Sequence, residues 1–460
     1  MAVTAGPESR DESSPAPTQE TRGGLSLQTF VAFKSRPFRL LWFNQLSFVL
    51  SQSIRQFAFV WLVLEMDGGG QTLGLVAFAL GFPILIFGLP AGALADRLDR
   101  RLLLFGSQIA ALVITALAAL LVWMDAMPLA ATFVLAFLLG TSMAFGAPVR
   151  QAIVPSLVEP DRLLNAVTLI GMGQNVSQII GPALGGLMIA LFGIGAAFAF
   201  QATLLALGLI ALVPLRVPPP TGAKRNMRLE LQEGLSFVVH HPGIRALFIS
   251  LIAVAVVMAG AFTTLLPKLA KDELGADAFG ASVLFGAMGV GMLVSSLILA
   301  SMSKLERAGL AFNMTLLVGT IFNVGTGLSP WYAFTFALMF LTGANAGFFT
   351  NLNLTLVQGH TPHAVMGRVM SIYTICMAGG MPLGALVAGF GADLFGTREW
   401  YTACGLGLGI LALMILIWQP ALRNMRGTLK QEEKAAARAG DDDDPPSPPA
   451  PTAEHDRVPV

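Results

Sequence analysis

The chain has 460 residues, of which 55% are hydrophobic and 12% are charged, and its mean hydropathy is +0.70. A soluble protein carries about 25% charged residues, so this composition excludes an ordinary soluble domain and indicates a membrane protein. The formal net charge of +1 argues against nucleic acid as a partner. Cys376 and Cys404 lie in apolar stretches, which favours a packing role and no disulfide framework.

Both ends of the chain are polar. Residues 1–37 predict a disordered tail followed by a short amphipathic entry helix over Leu25 to Phe33. This segment begins with no apolar signal-peptide core, so we expect no cleavable signal peptide. Residues 421–460 are charged and then low in complexity, with Asp441 to Asp444 and a proline-rich stretch. They predict a second disordered tail.

Between the tails lie about twelve apolar runs that are long enough to span a bilayer as helices. The chain is therefore predicted to be an all-α membrane protein with about twelve transmembrane helices. In chain order, the predicted runs occupy residues 39–64, 73–95, 102–124, 129–149, 164–192, 195–215, 245–269, 279–302, 309–328, 331–356, 366–393 and 400–419.

The placement of lysine and arginine predicts the orientation. Alternate loops, counted from the segment before run 1, are basic, whereas the opposite loops hold only Lys268, Lys271 and Arg398. Because basic loops stay in the cytoplasm, both termini are predicted to be cytoplasmic, in a bacterial-type inner or cell membrane. The longest connection, residues 216–244, becomes basic after three prolines and is predicted to be a cytoplasmic linker.

This linker divides the runs into two sets of six, residues 38–215 and 245–420, and an internal repeat supports that division. A shift of 203 positions superposes Gly181 and Gly186 on Gly384 and Gly389. A shift of 207 places the segment Arg97 to Arg100 on the segment Lys304 to Arg307. Two parallel six-helix repeats are a transporter design, so the repeat predicts two pseudo-symmetric bundles.

A short charged loop joins runs 2 and 3. It contains a glycine, an aspartate at the end of the apolar run, a second aspartate and three arginines: Gly92, Asp96, Arg97, Asp99, Arg100 and Arg101. Gly92 would permit a close helix approach, and Asp96 would need a partner at the membrane boundary. The order of these residues resembles the loop between helices 2 and 3 of the major facilitator superfamily.

Run 5 contains a second motif, Gly181-Pro182-Ala-Leu-Gly185-Gly186. Its glycines and proline would allow close helix packing and a kink. The motif resembles the core of one found in drug:proton antiporters of that superfamily, although Thr168 and Ser177 stand where the full motif has glycines. The segments Arg162 to Ala166 and Met366 to Ser371, with Trp61 to Glu65, are similar to a branch that contains enterobactin exporters and macrolide-type efflux proteins.

The resemblance implies roles for the loop. Asp96 is expected to meet the start of helix 11 near Gly367 and Arg368, which would lock the two halves on the cytoplasmic side and favour an outward-open state. Asp96→Asn should then weaken transport without affecting insertion. Arg97 and Arg101 are expected to orient the loop and to contact anionic lipid, or else to gate. Drug antiporters of the superfamily commonly carry an arginine inside helix 4; run 4 ends before Arg150, which leaves coupling through such an arginine unsupported.

Polar residues inside the runs indicate a substrate cavity. Arg55 is the basic residue well inside run 1, and an intramembrane arginine normally faces the protein interior or water. Gln45, Gln52 and Gln56 share one helical face, with Arg55 to one side; Arg55 packing near the outer end is the alternative. Gln174, Asn175 and Gln178 of run 5 could add cavity polarity, with interhelical hydrogen bonding as the alternative. Further candidates are Asn323, Asn345, Asn351, Asn353 and Tyr373.

These features predict a secondary active transporter. No phosphate-binding GxxxxGK[ST] loop occurs, and we find no metal-ligand or nucleophile pattern, so we expect neither an enzyme nor a cofactor or metal. The predicted function is proton-coupled efflux of a small amphipathic drug or siderophore-like compound by alternating access. The alternatives are an importer or uniporter of an organic solute, or a non-transporting membrane sensor. The available proton carriers are Glu65, Asp67, Asp96 and Asp393.

Overall fold

The structure, a computed structural model, describes residues 28–66, 68–95, 98–159, 162–215, 217, 227–302, 305–362 and 364–426. Twelve helices in these ranges are long and apolar enough to cross a membrane. They are α1 (Arg36–Glu65), α2 (Gly70–Ala95), α3 (Arg100–Trp123), α4 (Leu129–Ile153), α5 (Leu163–Phe192), α6 (Ile194–Leu212), α7 (Pro242–Asp272), α8 (Ala278–Ser301), α9 (Ala308–Leu328), α10 (Tyr332–Gly359), α11 (Met366–Phe395) and α12 (Thr397–Trp418).

The all-α fold with twelve membrane helices is confirmed. Each predicted run overlaps one helix, and the ends agree within four residues. The largest difference is at the end of α4, which continues through Arg150 to Ile153 and then into a 3-10 turn, Val154–Ser156. The predicted run ended before the charge of Arg150, but Ile153 and Val154 beyond it are apolar and buried, so packing continues the helix.

The helices form two six-helix bundles. In the first bundle α1 packs on α5 and α6, and α2 packs on α4; in the second, α8 packs on α10 and α9 packs on α12. The bundles meet mainly through two pairs, α2 with α11 and α5 with α8. The chain therefore has the two-repeat architecture that the sequence repeat predicted.

Equivalent glycines make equivalent contacts within each bundle. A Cβ added at Gly181 on α5 would overlap the Ser53 side chain of α1, and a Cβ at Gly384 on α11 would overlap the Val256 carbonyl of α7. Both pairs are related by the shift of 203 positions that relates the two halves of the sequence. The glycines are thus required because the helix backbones approach closely.

A second glycine on each of these helices packs against the other bundle. A Cβ at Gly186 on α5 would overlap Ser282 and lie 2.6 Å from the Ala278 carbonyl oxygen of α8. A Cβ at Gly389 on α11 would overlap the Gly70 carbonyl of α2. The interface between the bundles is therefore pseudo-symmetric, and small residues bring its helices together.

The bundles separate toward one face. We call the face where α1 begins and α12 ends the terminal face, and the other the distal face. On the distal side the glycines of α2 meet α11, whereas on the terminal side a Cβ at Gly88, Gly92, Gly171 or Gly367 would meet nothing within 4 Å. Among the described residues no atom lies close enough to Gly92 to show the close approach predicted there, which stays a prediction.

Helices occur in the predicted linker and at the start of the predicted C-terminal tail. The linker contains a helix, Met227–His240, whose Gly234 lies against Arg368 and Ile372 of α11. A short helix, Pro420–Arg423, follows α12, and Leu422 and Met425 are buried in the second bundle. The first residues of the predicted tail, 421–460, are therefore ordered, because their apolar side chains pack on the core of the second bundle.

The entry segment is also packed. A 3-10 helix, Gln28–Lys34, stands in place of the predicted entry helix. The Ala32 N–H donates to the Asn165 Oδ1 at 3.0 Å, and the Ser35 hydroxyl donates to the Leu157 carbonyl at 2.8 Å. Residues 1–27 and 427–460 lie outside the described residues.

Candidate functional site: a cavity between the bundles

A cavity of about 1310 Å³ lies between the two bundles. Side chains of α1, α2, α4 and α5 line it from the first bundle, and side chains of α7 to α12 line it from the second. The cavity lies on the terminal side of the glycine contacts that join the bundles. Because those contacts close the distal side and the helices diverge at the terminal side, solutes would reach the cavity from the terminal face.

Nine of the twelve predicted cavity residues line this space. The glutamines of α1 do so as a stripe, since residues spaced by about one or two turns share a helical face. The polar residues of α5 form the adjacent strip, and the second bundle contributes one asparagine of α9 and two of α10. These residues are Gln45, Gln52, Gln56, Gln174, Asn175, Gln178, Asn323, Asn345 and Asn351.

Arg55, Asn353 and Tyr373 are not in the cavity lining. The buried Asn353 Nδ2 donates to the Leu247 carbonyl of α7 at 3.2 Å. Arg55 is 6% exposed, and its Nη2 lies against the Met143 sulfur of α4. Arg55 is the sequence neighbour of Gln56, but successive residues of a helix are rotated by about 100°. Its side chain therefore lies on another face of α1, in contact with α4. Tyr373 is buried with its ring edge-on to Phe248, 6.1 Å between centroids, so its aromatic body packs within the second bundle.

Arg150 is a cavity residue that the sequence analysis placed at a helix end. Its side chain is 4% exposed, lies in the wall of the cavity, and stacks with its Cζ 3.4 Å from the centre of the Phe48 ring. Because α1 and α4 run antiparallel, Phe48 contacts Arg150 and Arg55 contacts Met143. The two residues on each helix are seven positions apart. Each arginine of the α1–α4 contact therefore meets a polarisable apolar side chain on the facing helix.

A buried polar network holds Arg150 in place. Its Nη2 donates to the Gln108 Oε1 of α3 at 3.2 Å, and the Asn44 Nδ2 of α1 donates to the same oxygen at 2.8 Å. Gln108 in turn donates to the Leu205 carbonyl of α6 at 3.0 Å. The Arg150 Nε and Nη1 have no hydrogen-bond acceptor. The guanidinium is thus fixed but only partly satisfied.

The two walls of the cavity differ in chemistry. The first bundle contributes most of the amide side chains and Arg150. The second contributes phenylalanines, threonines and five methionines: Met258, Met288, Met292, Met377 and Met381. Methionine adapts its shape to varied apolar surfaces, so the arrangement can hold an amphipathic molecule with its polar part on the first bundle and its apolar part on the second.

The charge of the lining is one-sided. Among the described residues that line the cavity, Arg150 is the one charged side chain and none is acidic. Within the described ranges, no hydrogen bond or ion pair joins Arg150 or Arg55 to a carboxylate. The field of the cavity is therefore positive on the side of the first bundle.

The predicted gating residues lie around the terminal face. Asp99 caps α3 by accepting from the Arg101 N–H at 2.8 Å, and the Arg101 Nη2 donates to the Val213 carbonyl of α6 at 2.6 Å. The Arg100 Nη1 donates to the Ala152 carbonyl at 3.3 Å. These contacts stay within the first bundle and orient the loop. Asp96 and Arg97 lie outside the described residues, so their predicted contact with α11 remains a prediction.

Arg368 contacts the linker helix in this conformation. Its guanidinium forms an ion pair with Glu233, and both side chains are partly exposed. Sequence alone connects Arg368 only with the loop after α2. The pair with Glu233 depends on the linker helix, which was not predicted and whose Gly234 packs against Arg368 and Ile372.

Two features of the sequence could have indicated that Arg150 lies inside a membrane helix and contacts Phe48. The residues after Arg150 include Ala152, Ile153 and Val154, which shows that the apolar run continues past the arginine. The spacing of seven between Phe48 and Arg55 equals that between Met143 and Arg150, but pairing them requires knowing that α1 and α4 are neighbours. Only the first of these signals is accessible without a structure.

Comparison with known proteins agrees with this architecture. Residues 27–439 match the family model described as transmembrane secretion effector. The chain is 23% identical over 402 residues to macrolide efflux protein A of Streptococcus pyogenes, covering 85% of this chain and 96% of that protein. It is 27% identical over 379 residues to enterobactin exporter EntS of Escherichia coli, covering 81% and 86%.

A solved structure shares the fold. A POT family transporter crystallised with 5-aminolevulinic acid superposes with a TM-score of 0.67 at 14% sequence identity, covering 84% of this chain and 97% of that one. At this identity the likeness concerns the fold alone. The two bundles and the cavity between them are thus an architecture that known transporters also have.

Proposed function

The chain belongs to the transmembrane secretion effector family of the major facilitator superfamily, and from that premise we propose that it is a secondary active exporter of a small amphipathic compound. The observation that carries the proposal is the cavity between two pseudo-symmetric bundles, with the distal side closed and the terminal side separated. Its amide-rich and methionine-rich walls suit an amphipathic molecule. Related proteins are efflux proteins for a macrolide and for enterobactin by name, which supports the export direction.

We further propose that the terminal face is cytoplasmic. The basic residues described at this face include Arg100, Arg101 and Arg368, and basic loops remain inside. The described conformation is then inward-open, ready to receive a compound from the cytoplasm or the inner leaflet. Export requires that the distal contacts between α2 and α11 and between α5 and α8 open while the terminal side closes.

The proposed energy source is a proton gradient. The cavity lining holds no carboxylate among the described residues, so the proton carrier lies elsewhere. Glu65 and Asp393, at the distal ends of α1 and α11, are described candidates, and Asp67 and Asp96 are candidates outside the described residues. Protonation of any of these carboxylates would affect transport by opening or closing a face of the protein. It would not compete directly with the substrate for the cavity.

Proteoliposomes with an imposed pH gradient would test the proposal. We would follow a panel of lipophilic cations, macrolides and catecholate siderophores, with the wild type beside Gln52→Ala and Gln56→Ala. Uptake of one class that depends on the gradient and is reduced in the glutamine variants supports proton-driven export. A protein that moves no panel member, in liposomes where a known exporter does, argues against it.

One observation favours a second candidate, a uniporter of an organic solute. A uniporter needs no titrating group, and the described cavity lining contains none that is acidic. In the same liposomes a uniporter would equilibrate its solute at an unchanged rate when the pH gradient is collapsed. That result would retain alternating access and remove proton coupling.

A further inference from the structure

We propose that Arg150 is an anion-binding residue of the cavity and that the transported compound is an amphipathic organic anion, with one acidic group on an apolar body. The inference rests on the proposed transport function and names the substrate class of the same cavity. The proposed function leaves the charge of the compound open, because amphipathic drugs are commonly cations and siderophore-like compounds are commonly acids. The present proposal specifies a negative charge.

The charge of Arg150 is unbalanced. Removing a cation from water is costly unless a partner compensates for it. Here the partners are neutral: the Phe48 ring and the Gln108 amide oxygen. The Nε and Nη1 donors have none. A buried guanidinium with unused donors is a binding group for a carboxylate, which can accept from it with charge-assisted hydrogen bonds.

Arg150 lines the cavity beside Phe48, and the ring covers the guanidinium. A change in the Phe48 rotamer would expose the guanidinium to a ligand while the Gln108 contact still holds it. Arg55 has no such position, because Met143 lies between it and the cavity.

The cavity wall has no charge that opposes Arg150. Among the described lining residues there is no carboxylate that a cationic compound could use. Beside a protein wall charges interact more strongly than in bulk water, so the single positive charge favours an anion over a cation. The methionines and phenylalanines of the second bundle would then take up the apolar body, since they adapt to different shapes.

The test uses three probes that differ only in the charge of the head group. Dansyl-11-aminoundecanoic acid carries a carboxylate, its methyl ester is neutral, and N-dansyl-1,11-diaminoundecane carries an ammonium. Binding is measured by dansyl fluorescence to the full-length protein in phosphatidylcholine nanodiscs, with empty nanodiscs subtracted. We expect the acid to bind about tenfold or more tightly than the ester and the amine to bind most weakly.

Three variants assign the preference to Arg150. Arg150→Gln should bind acid and ester about equally, whereas Arg150→Lys, which keeps the charge, should retain the order. Arg55→Gln is the matched control, because it removes a buried arginine of the same helix contact that does not line the cavity; it should also retain the order. The wild-type order is informative by itself if Arg150→Gln fails to fold.

The proposal is overturned if the wild type prefers the amine, or if Arg150→Gln keeps the full preference for the acid. Transport of the same probes into proteoliposomes separates this proposal from the proposed function. Arg150-dependent binding of the acid without transport would support the anion site and contradict export. Transport of all three probes without a charge order would support export and contradict the anion site.

Discussion

Asp393, near the end of α11, accepts hydrogen bonds from the first backbone N–H groups of α2, from Gly70 at 2.6 Å and from Gln71 at 2.8 Å. The carboxylate thus caps the N-terminus of a helix in the other bundle, where the helix dipole stabilises negative charge. The Lys271 Nζ of α7 donates to the Leu64 carbonyl of α1 at 2.5 Å on the same side. The closed distal face is therefore held by polar contacts as well as by glycine packing.

Asp393→Asn should weaken this closure. A carboxylate at an exposed helix N-terminus contributes about 0.3–1 kcal/mol, so we expect the distal-open population to rise roughly two- to fivefold. Spin labels at the exposed distal residues Met124 and Trp331, with the two native cysteines replaced, would report this as a longer distance component. Asp277→Asn is the control, because Asp277 caps its own helix α8. An unchanged distance distribution in Asp393→Asn would contradict a role in closure.

Neighbouring glycines of α5 should respond differently to alanine. Gly186→Ala would bring a methyl group into Ser282 and the Ala278 carbonyl of the other bundle, whereas Gly185→Ala would make an ordinary contact of 3.5 Å with Ile54. We expect Gly186→Ala to reduce transport by tenfold or more, roughly 1.4 kcal/mol or more against distal closure, and Gly185→Ala to stay near the wild type. Transport rates per folded protein measure both. Equal rates in the two variants would show that the α5–α8 contact tolerates a methyl group.

Arg55→Met should leave the folded protein as stable as the wild type or more stable. Arg55 is buried and, among the described residues, has no carboxylate partner and no acceptor for its Nε. Replacing a buried ion pair by apolar side chains of similar size is often neutral or stabilising by about 1–4 kcal/mol, and a buried charge without a partner carries the same desolvation cost with less compensation. The midpoint of thermal unfolding in detergent measures this. A large drop in that midpoint would mean that the Arg55 charge is needed by the fold.

Acidification should destabilise the protein through His360, which follows α10 at the terminal face. Burial lowers the pKa of His360 and nearby His241 lowers it further, although the hydrogen bond to the Leu356 carbonyl raises it. The folded state then binds this proton less readily than the unfolded chain, so stability is lost as the pH falls through and below the ordinary value of 6.5. His360→Gln should lessen the loss of thermal stability between neutral and mildly acidic pH. If the two proteins lose stability equally, His360 does not titrate in the way its surroundings imply.

The sequence by itself determined the twelve helices, their division into two repeats and the glutamine stripe of α1. These follow from local rules: a spanning helix needs a long apolar run, and residues one or two turns apart share a face. The glycine at 186 was recognisable as a packing position from its motif. Its partner, Ser282 of the other bundle, could not be predicted, because the motif does not indicate which helix packs against the glycine.

Only the tertiary structure decided where the two arginines of the first bundle lie. Sequence placed Arg55 in the cavity and Arg150 at a membrane boundary; the structure puts Arg55 behind Met143 and Arg150 in the cavity wall. The reason is the antiparallel register of α1 and α4, which pairs Arg55 with Met143 and Arg150 with Phe48. A charge inside a membrane helix must be shielded by a neighbour, and which neighbour does so depends on how two distant segments pack.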